Sequence, residues 1–254
     1  MTFDKYNWKK YIPENHVRPP SFLEDPGVLL INKPVSITSM DVLRFIKTIG
    51  RPKKAGHAGT LDPFASGLLV VLLNQYTKLS DKLMAQSKEY EGTFILGETY
   101  DTQDITGTLI KKTNDVPLLK IEEIQDMTKT LTGNITQIAP AYSAKKKDGK
   151  PLYRYAREGK EIEAKKQDIF VKEFLITQKI SNIKFAFKIT CGKGTYIRTL
   201  INDLGELLKC GAVTETLIRT KSGNFSINEC VSLENLQSQE AIKNNLIQQN
   251  IAKA

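Results

Sequence analysis

The chain has 254 residues, 40% of them apolar, which is enough to bury a core in one large domain or two modest ones. Its 37 lysines and arginines against 28 acids leave a net charge of +9, which favours a polyanionic partner. No apolar run approaches the ~18 residues of a membrane span, and two histidines with three scattered cysteines cannot assemble a zinc site by spacing.

Taken in order, residues 1–26 carry Tyr6, Trp8 and Tyr11 among lysines and are punctuated by Pro13, Pro19, Pro20 and Pro26, which predicts an extended arm. The start lacks the charged-then-apolar layout of a signal peptide, so a cytoplasmic protein with free thiols is expected. Val28-Leu29-Leu30-Ile31 predicts a short strand that stops at Asn32-Lys33-Pro34, because proline cannot donate to an interior ladder. Thr38 or Ser39 then caps a helix with Val42, Phe45, Ile46 and Ile49 on one face and Gly50 placed to end it.

The outer face of that helix opens a basic run, Arg44, Lys47, Arg51, Lys53 and Lys54, which leads into Gly56-His57-Ala58-Gly59-Thr60-Leu61-Asp62-Pro63. There the glycines permit positive φ or close approach, and the Asp-Pro step makes a sharp turn that presents Asp62. By spacing alone, an ordinary turn has the same residues; a basic run feeding it suits a phosphate backbone.

Leu68-Leu69-Val70-Val71-Leu72-Leu73 reads as a strand buried on both faces or as a short buried helix. Leu79, Leu83 and Met84 predict a helix, and Tyr90, Phe94 and Leu96 one face of a strand. Glu98, Asp101 and Asp104 fall in a polar stretch that lacks an EF-hand pattern and reads as a solvated turn. Residues 120–132 predict a helix burying Ile121, Ile124, Met127 and Leu131, with Gly133 at its exit.

Residues 143–172 hold ten lysines and arginines against five acids, with Tyr153 and Tyr155 among them and Tyr142 just before. This second basic patch has the composition of a surface that clamps looped RNA, or of a solvated loop with a short helix from Pro151 to Glu158. Ile183, Phe185, Phe187, Ile189 and Cys191 alternate with more polar residues as a half-buried strand. After Gly192-Lys193-Gly194-Thr195-Tyr196-Ile197-Arg198, an amphipathic helix carries Leu200, Ile201, Leu204, Leu207 and Leu208. Arg198 near a helix N-terminus calls for a facing carboxylate or phosphate, which makes it a candidate partner for Asp62. Val213 to Arg219 reads as a strand, and Ser232 onward as one or two helices.

Asn32-Lys33-Pro34, the stretch from Gly56 through Asp62-Pro63-Phe64-Ala65-Ser66-Gly67 to Leu69, and Gly194-Thr195-Tyr196-Ile197-Arg198-Thr199-Leu200 resemble the bacterial tRNA pseudouridine synthase B (TruB) family. The likeness runs through Lys88-Glu89-Tyr90, Pro140 to Lys145, Gly149 to Tyr153 and Leu217 to Gly223, spanning residues 28–226. It departs at Val213, where the family has histidine, and at Ile218, where the family has the first of two arginines.

The resemblance implies an α/β (α+β) pseudouridine-synthase fold, a mixed, largely antiparallel central sheet flanked by helices with a catalytic cleft across it. The implied organisation is an arm at 1–26, a catalytic domain at 27–226 with an RNA-clamping insertion at about 140–170, and a short helical tail at 227–254 in place of a PUA domain. The implied activity is isomerisation of the uridine conventionally numbered 55 in the T-loop of tRNA, with no metal, organic cofactor or guide RNA, by a monomer gripping the T-arm stem-loop. Asp62 matches the catalytic aspartate, which either attacks the anomeric carbon or takes the proton from its neighbour. Tyr90 matches the aromatic that stacks on the flipped base, Arg198 the cation paired with the aspartate, and His57 the histidine that holds the disrupted loop. Lys33, Tyr196 and Leu217 match positions lining the site, while Arg44, Lys53, Lys54, Lys145, Lys146 and Arg154 would meet the RNA backbone. The alternative is a non-catalytic tRNA-folding chaperone of the same fold, against which the joint presence of Asp62, Tyr90 and Arg198 speaks.

Overall fold

The computed structural model describes residues 7–140, 146–147, 150–151 and 166–248. From the N-terminus the elements are β1 (Gly27–Lys33), α1 (Ser39–Gly50), β2 (Ala55–His57), β3 (Ser66–Leu73), α2 (Ser80–Ala85), β4 (Lys88–Leu96), β5 (Glu98–Tyr100) and β6 (Leu109–Lys112). They continue as α3 (Ile121–Thr128), β7 (Gly133–Ile138), β8 (Lys146–Lys147), β9 (Lys150–Pro151), β10 (Lys166–Lys179), β11 (Lys184–Cys191), α4 (Ile197–Leu207), β12 (Ala212–Ser222), β13 (Phe225–Ser226) and α5 (Gln239–Asn244). The chain divides into two units, with boundaries after Lys88 and after Leu217; the first unit takes both ends of the chain and the second takes residues 89–217.

In the first unit β3 is the central strand. Antiparallel β1 takes one edge along its length, from Gly27 opposite Leu73 to Lys33 opposite Gly67. The other edge is shared: antiparallel β2 covers Val71 to Leu73, and the parallel end of β12 covers Ser66 and Gly67 through Ile218 and Arg219. The apolar run at 68–73 is therefore a strand, not a helix. Leu68, Val70 and Leu72 pack with Val28, Leu30, Leu83 and Phe225, while Leu69, Val71 and Leu73 on the opposite face are just as fully buried.

Helix α1 begins in a capping box in which the Thr38 hydroxyl accepts from the Asp41 amide and the Asp41 carboxylate accepts from the Thr38 amide. It ends at Gly50, as expected, although the glycine is not its left-handed residue. Gly50 is still helical and Arg51 takes the left-handed conformation at φ 50°. An added Cβ at Gly50 would lie 2.8 Å from Ile242 Cδ1 of α5, the movable end of that side chain. Residues 19–25 are tied down by Arg51 Nη1, which donates to the Pro19 and Pro20 carbonyls, and by the buried Asn74 amide, which donates to those of Leu23 and Asp25.

In the second unit the strand order is β12, β4, β11, β10, β7, with β5 and β6 as a separate antiparallel pair. The alternation in β11 holds: Phe185, Phe187, Ile189 and Cys191 are buried, and Phe94, Phe174 and Phe187 form an aromatic cluster with Phe185. Ile183 falls outside the strand and is exposed. Helix α3 is shorter than expected, because the chain tightens into a 3₁₀ turn at Lys129–Leu131 that breaks the 3.6-residue period. Ile124 is buried and Met127 is not; Gln125 and Thr128 instead bind the Phe174 carbonyl of β10.

Gly67 has φ +99°, and a Cβ there would sit 2.5 Å from the Arg219 carbonyl oxygen. Gly67→Ala should lower stability by about 2 kcal/mol or more, read as a shift of the urea midpoint at unchanged slope.

Candidate active site

Between the end of β2 at His57 and the start of β3 at Ser66 the chain makes the turn that carries Asp62, which is half-buried. Its neighbours are pinned on both sides. The Leu61 amide donates to Ser39 Oγ at 2.9 Å and Ser39 Oγ donates back to the Leu61 carbonyl at 3.1 Å. The Ser36 amide donates to the Pro63 carbonyl at 2.8 Å, and the Ala65 amide closes a turn onto the Asp62 carbonyl at 3.1 Å. Both serines precede or open α1, whose capping box fixes where they stand.

Two buried cations hold this arrangement. Lys33, fully buried at the end of β1, donates from Nζ to the Pro34 and Ile37 carbonyls at 2.8 Å each, curling the segment that delivers Ser36 and Ser39. Arg219 on β12 is 1% exposed and donates from Nε to the Leu68 carbonyl at 2.8 Å and from Nη2 to the Gly59 carbonyl at 3.0 Å, with Nη1 at 3.5 Å from the Thr60 carbonyl. A third cation, Lys88, is buried against α2 and donates to the Leu83, Met84 and Gln86 carbonyls.

Burial pushes the Lys33 amine down to about 7, with the neighbouring Asp62 opposing the shift and Arg219 adding to it. Burial, then Arg219, also holds the His57 imidazole below its usual value, so the ring is neutral at pH 7. The first unit thus offers a carboxylate on a rigid turn, a neutral imidazole at its entry and buried positive charge around it.

The second unit carries the other expected residues. Tyr90 lies half-buried on β4 and Leu217 buried on β12. Tyr196 is the N-cap of α4, and the buried Gln137 side chain clamps it, accepting from its amide at 2.9 Å and donating to its carbonyl at 3.0 Å. Arg198, 3% exposed in the first turn of α4, donates to the Thr102 carbonyl and lies 3.3 Å from the Asp104 carboxylate. That carboxylate meets the electrostatic need of a cation at a helix N-terminus. The stretch around Asp104 is therefore not the solvated turn that its composition suggested, since Asp104 is buried.

Gln137 has no place in the sequence reading, which takes Asp104 only as part of a polar turn and Arg219 only as a strand end within the family likeness. Arg198, Tyr196 and Leu68, which they reach, lie far away in sequence; for Arg219 the available signals were the apolar strand pattern before it and its place in the Leu217 to Gly223 stretch of the likeness. Among the expected RNA-facing residues, the exposed Arg44 pairs at 2.6 Å with Asp41, whose carboxylate is buried, and Lys53 pairs at 2.7 Å with Glu24; only the second pair has both partners in solvent and is weak and exchangeable. Lys54 is exposed beside β2. Lys145, Arg154 and the helix expected at 151–158 lie outside the described residues, apart from the strand residue Pro151; of Lys146 only its strand pairing with Pro151 is described. Among the described residues no cluster of three or more His, Cys, Asp or Glu side chains is placed to hold a metal, and no helix is long and apolar enough to cross a membrane.

A solved Cbf5–Nop10–Gar1 complex matches with a TM-score of 0.63 at 28% identity, over 87% of this chain and 60% of that one. An H/ACA RNP bound to a substrate RNA containing 2′-deoxyuridine matches with a TM-score of 0.63 at 25% identity, over 93% and 64% respectively. The chain thus spans less than two thirds of those longer solved chains, and its mixed, largely antiparallel architecture is the pseudouridine-synthase fold.

The TruB pseudouridylate synthase N-terminal domain matches residues 47–197, and the tRNA pseudouridylate synthase B C-terminal domain matches residues 198–253. The tRNA pseudouridine synthase B of Chlamydia muridarum is 43% identical over 81% of this chain and 84% of its own length. That of Endomicrobium trichonymphae is 42% identical over 87% and 95%. The chain belongs to the TruB family of pseudouridylate synthases.

The depressed Lys33 gives a pH-dependent stability whose sign is fixed. The folded amine holds its proton less tightly than the unfolded one, so the penalty is complete below about pH 7 and is relieved as pH rises towards 10.5. Between pH 7 and 9, wild type should gain about 2 kcal/mol relative to Lys33→Met in urea unfolding. Parallel pH courses for the two proteins would show that Lys33 does not titrate there.

Proposed function

We propose that this chain converts the uridine conventionally numbered 55 in the T-loop of tRNA to pseudouridine. The observation that carries the reading is the turn holding Asp62, with residues on both sides of the aspartate pinned by Ser36, Ser39 and Arg219. Its support is that relatives 41–43% identical bear the name tRNA pseudouridine synthase B.

The reaction breaks the bond from N1 to the anomeric carbon and makes one from C5 to that carbon, losing a proton at C5 and gaining one at N1. Asp62 acts at the ribose, by attack on the anomeric carbon or by removing a proton from the adjacent one. A uridine in a stacked loop must first be extruded, at a cost of roughly a few kcal/mol, which stacking on Tyr90 offsets. His57, neutral and close to the turn, holds the displaced loop; Arg198 acts as the cation partner, and Lys33, Tyr196 and Leu217 complete the site. Arg44, Lys53 and Lys54, with Lys145, Lys146 and Arg154, grip the backbone of the T-arm. On this reading residues 27–226 are the catalytic domain, between an arm and a short tail, and the enzyme works in the cytoplasm as a monomer without guide RNA.

Asp62→Asn should abolish pseudouridine formation on an unmodified T-arm stem-loop while leaving binding within about tenfold, since one acid contributes little to a phosphate-driven interface. Residual turnover by that variant would sink the assignment. Binding should also weaken steeply between 50 and 200 mM salt, by roughly tenfold or more if a handful of phosphates are neutralised. A flat response would remove the exposed cations from the interface.

A further inference from the structure

We propose that Arg219 is a positioning residue that sets the geometry of the turn carrying Asp62, acting on the reaction without touching substrate. The inference rests on Asp62 being the reacting carboxylate.

Burying a guanidinium is costly unless its donors are used and its charge is compensated. Arg219 is the largest fully buried side chain among the described residues, yet all its hydrogen bonds go to main-chain carbonyls. Those carbonyls are chosen in a telling way. Gly59 and Thr60 lie just before Asp62, and Leu68 lies in β3 just after it, so one planar fork spans both stems of the turn.

The fork itself has a fixed origin. Arg219 pairs in register with Gly67, where only glycine lets the two backbones approach so closely. Gly59 has φ +108°, and a Cβ there would stand 3.3 Å from Arg219 Nη1, so the turn is shaped around the guanidinium. Opposite it, Ser36 and Ser39 hold Pro63 and Leu61. Asp62 is thereby suspended between two clamps, and a displacement of about 1 Å at a reacting group can cost about 100-fold in rate. A lysine keeps the charge but cannot present two or three donors in fixed directions.

The test is steady-state kinetics of Arg219→Lys and Arg219→Met on a T-arm stem-loop, with Asp62→Asn alongside and the folded fraction read by circular dichroism. Arg219→Lys should lower kcat by about 100-fold with KM within threefold, and Arg219→Met should lower kcat at least tenfold further, so that the retained cation rescues part of the rate. Either folded variant turning over within threefold of wild type would overturn the proposal. So would a loss confined to KM, a loss that follows the unfolded fraction, or failure of both variants to fold, which would make Arg219 a folding residue only. If Asp62→Asn stays active, the functional reading fails instead; if it is inactive while the Arg219 variants are normal, only the positioning role fails.

Discussion

Desolvating positive charge is the constraint on which the first unit depends. Lys33, Lys88 and Arg219 are all buried, and all three direct their N–H groups to main-chain carbonyls. Each ties backbone in a turn or at the end of a regular element: the segment after β1, the end of α2, and the turn after β2 together with Leu68 of β3. Removing one partner would leave either a bare cation or bare carbonyls in a low-dielectric interior, which is why such sites tolerate little change.

The second unit solves a related problem with carboxylate and amide. Arg198 sits where a helix end repels a cation, and Asp104 supplies the opposite charge, its own oxygen also accepting from Thr106. Gln137 spends both ends of its amide on the backbone of Tyr196. Arg198 and Tyr196 are therefore mounted by neighbours that are themselves satisfied, which holds both in fixed positions.

The net positive charge divides into two populations. Buried cations build the turn that carries Asp62, whereas the heads of Arg44, Lys53 and Lys54 are exposed, and the pair that Lys53 makes with Glu24 is exposed on both sides. Exposed pairs can be given up to phosphate at little loss, whereas buried ones cannot. A basic composition by itself does not distinguish these uses.

Local rules were enough to read β1, a cap for α1 at Thr38 or Ser39, the alternation of β11 and the sharp turn at Asp62-Pro63, because each depends on residues within one or two turns of chain. The run at 68–73 stayed undecided between strand and helix until β1 and β2 were seen to pair with it. Likewise a 3₁₀ turn cut short the helix at 120–132. The sequence by itself determined the family resemblance and the place of Asp62 on its turn. Only the tertiary structure showed Arg219 reaching Leu68 across 151 residues of sequence, and Asp104 reaching Arg198 across 94. Propensity and periodicity are short-range energies, and the partners of a buried charge are chosen by the path of the whole chain.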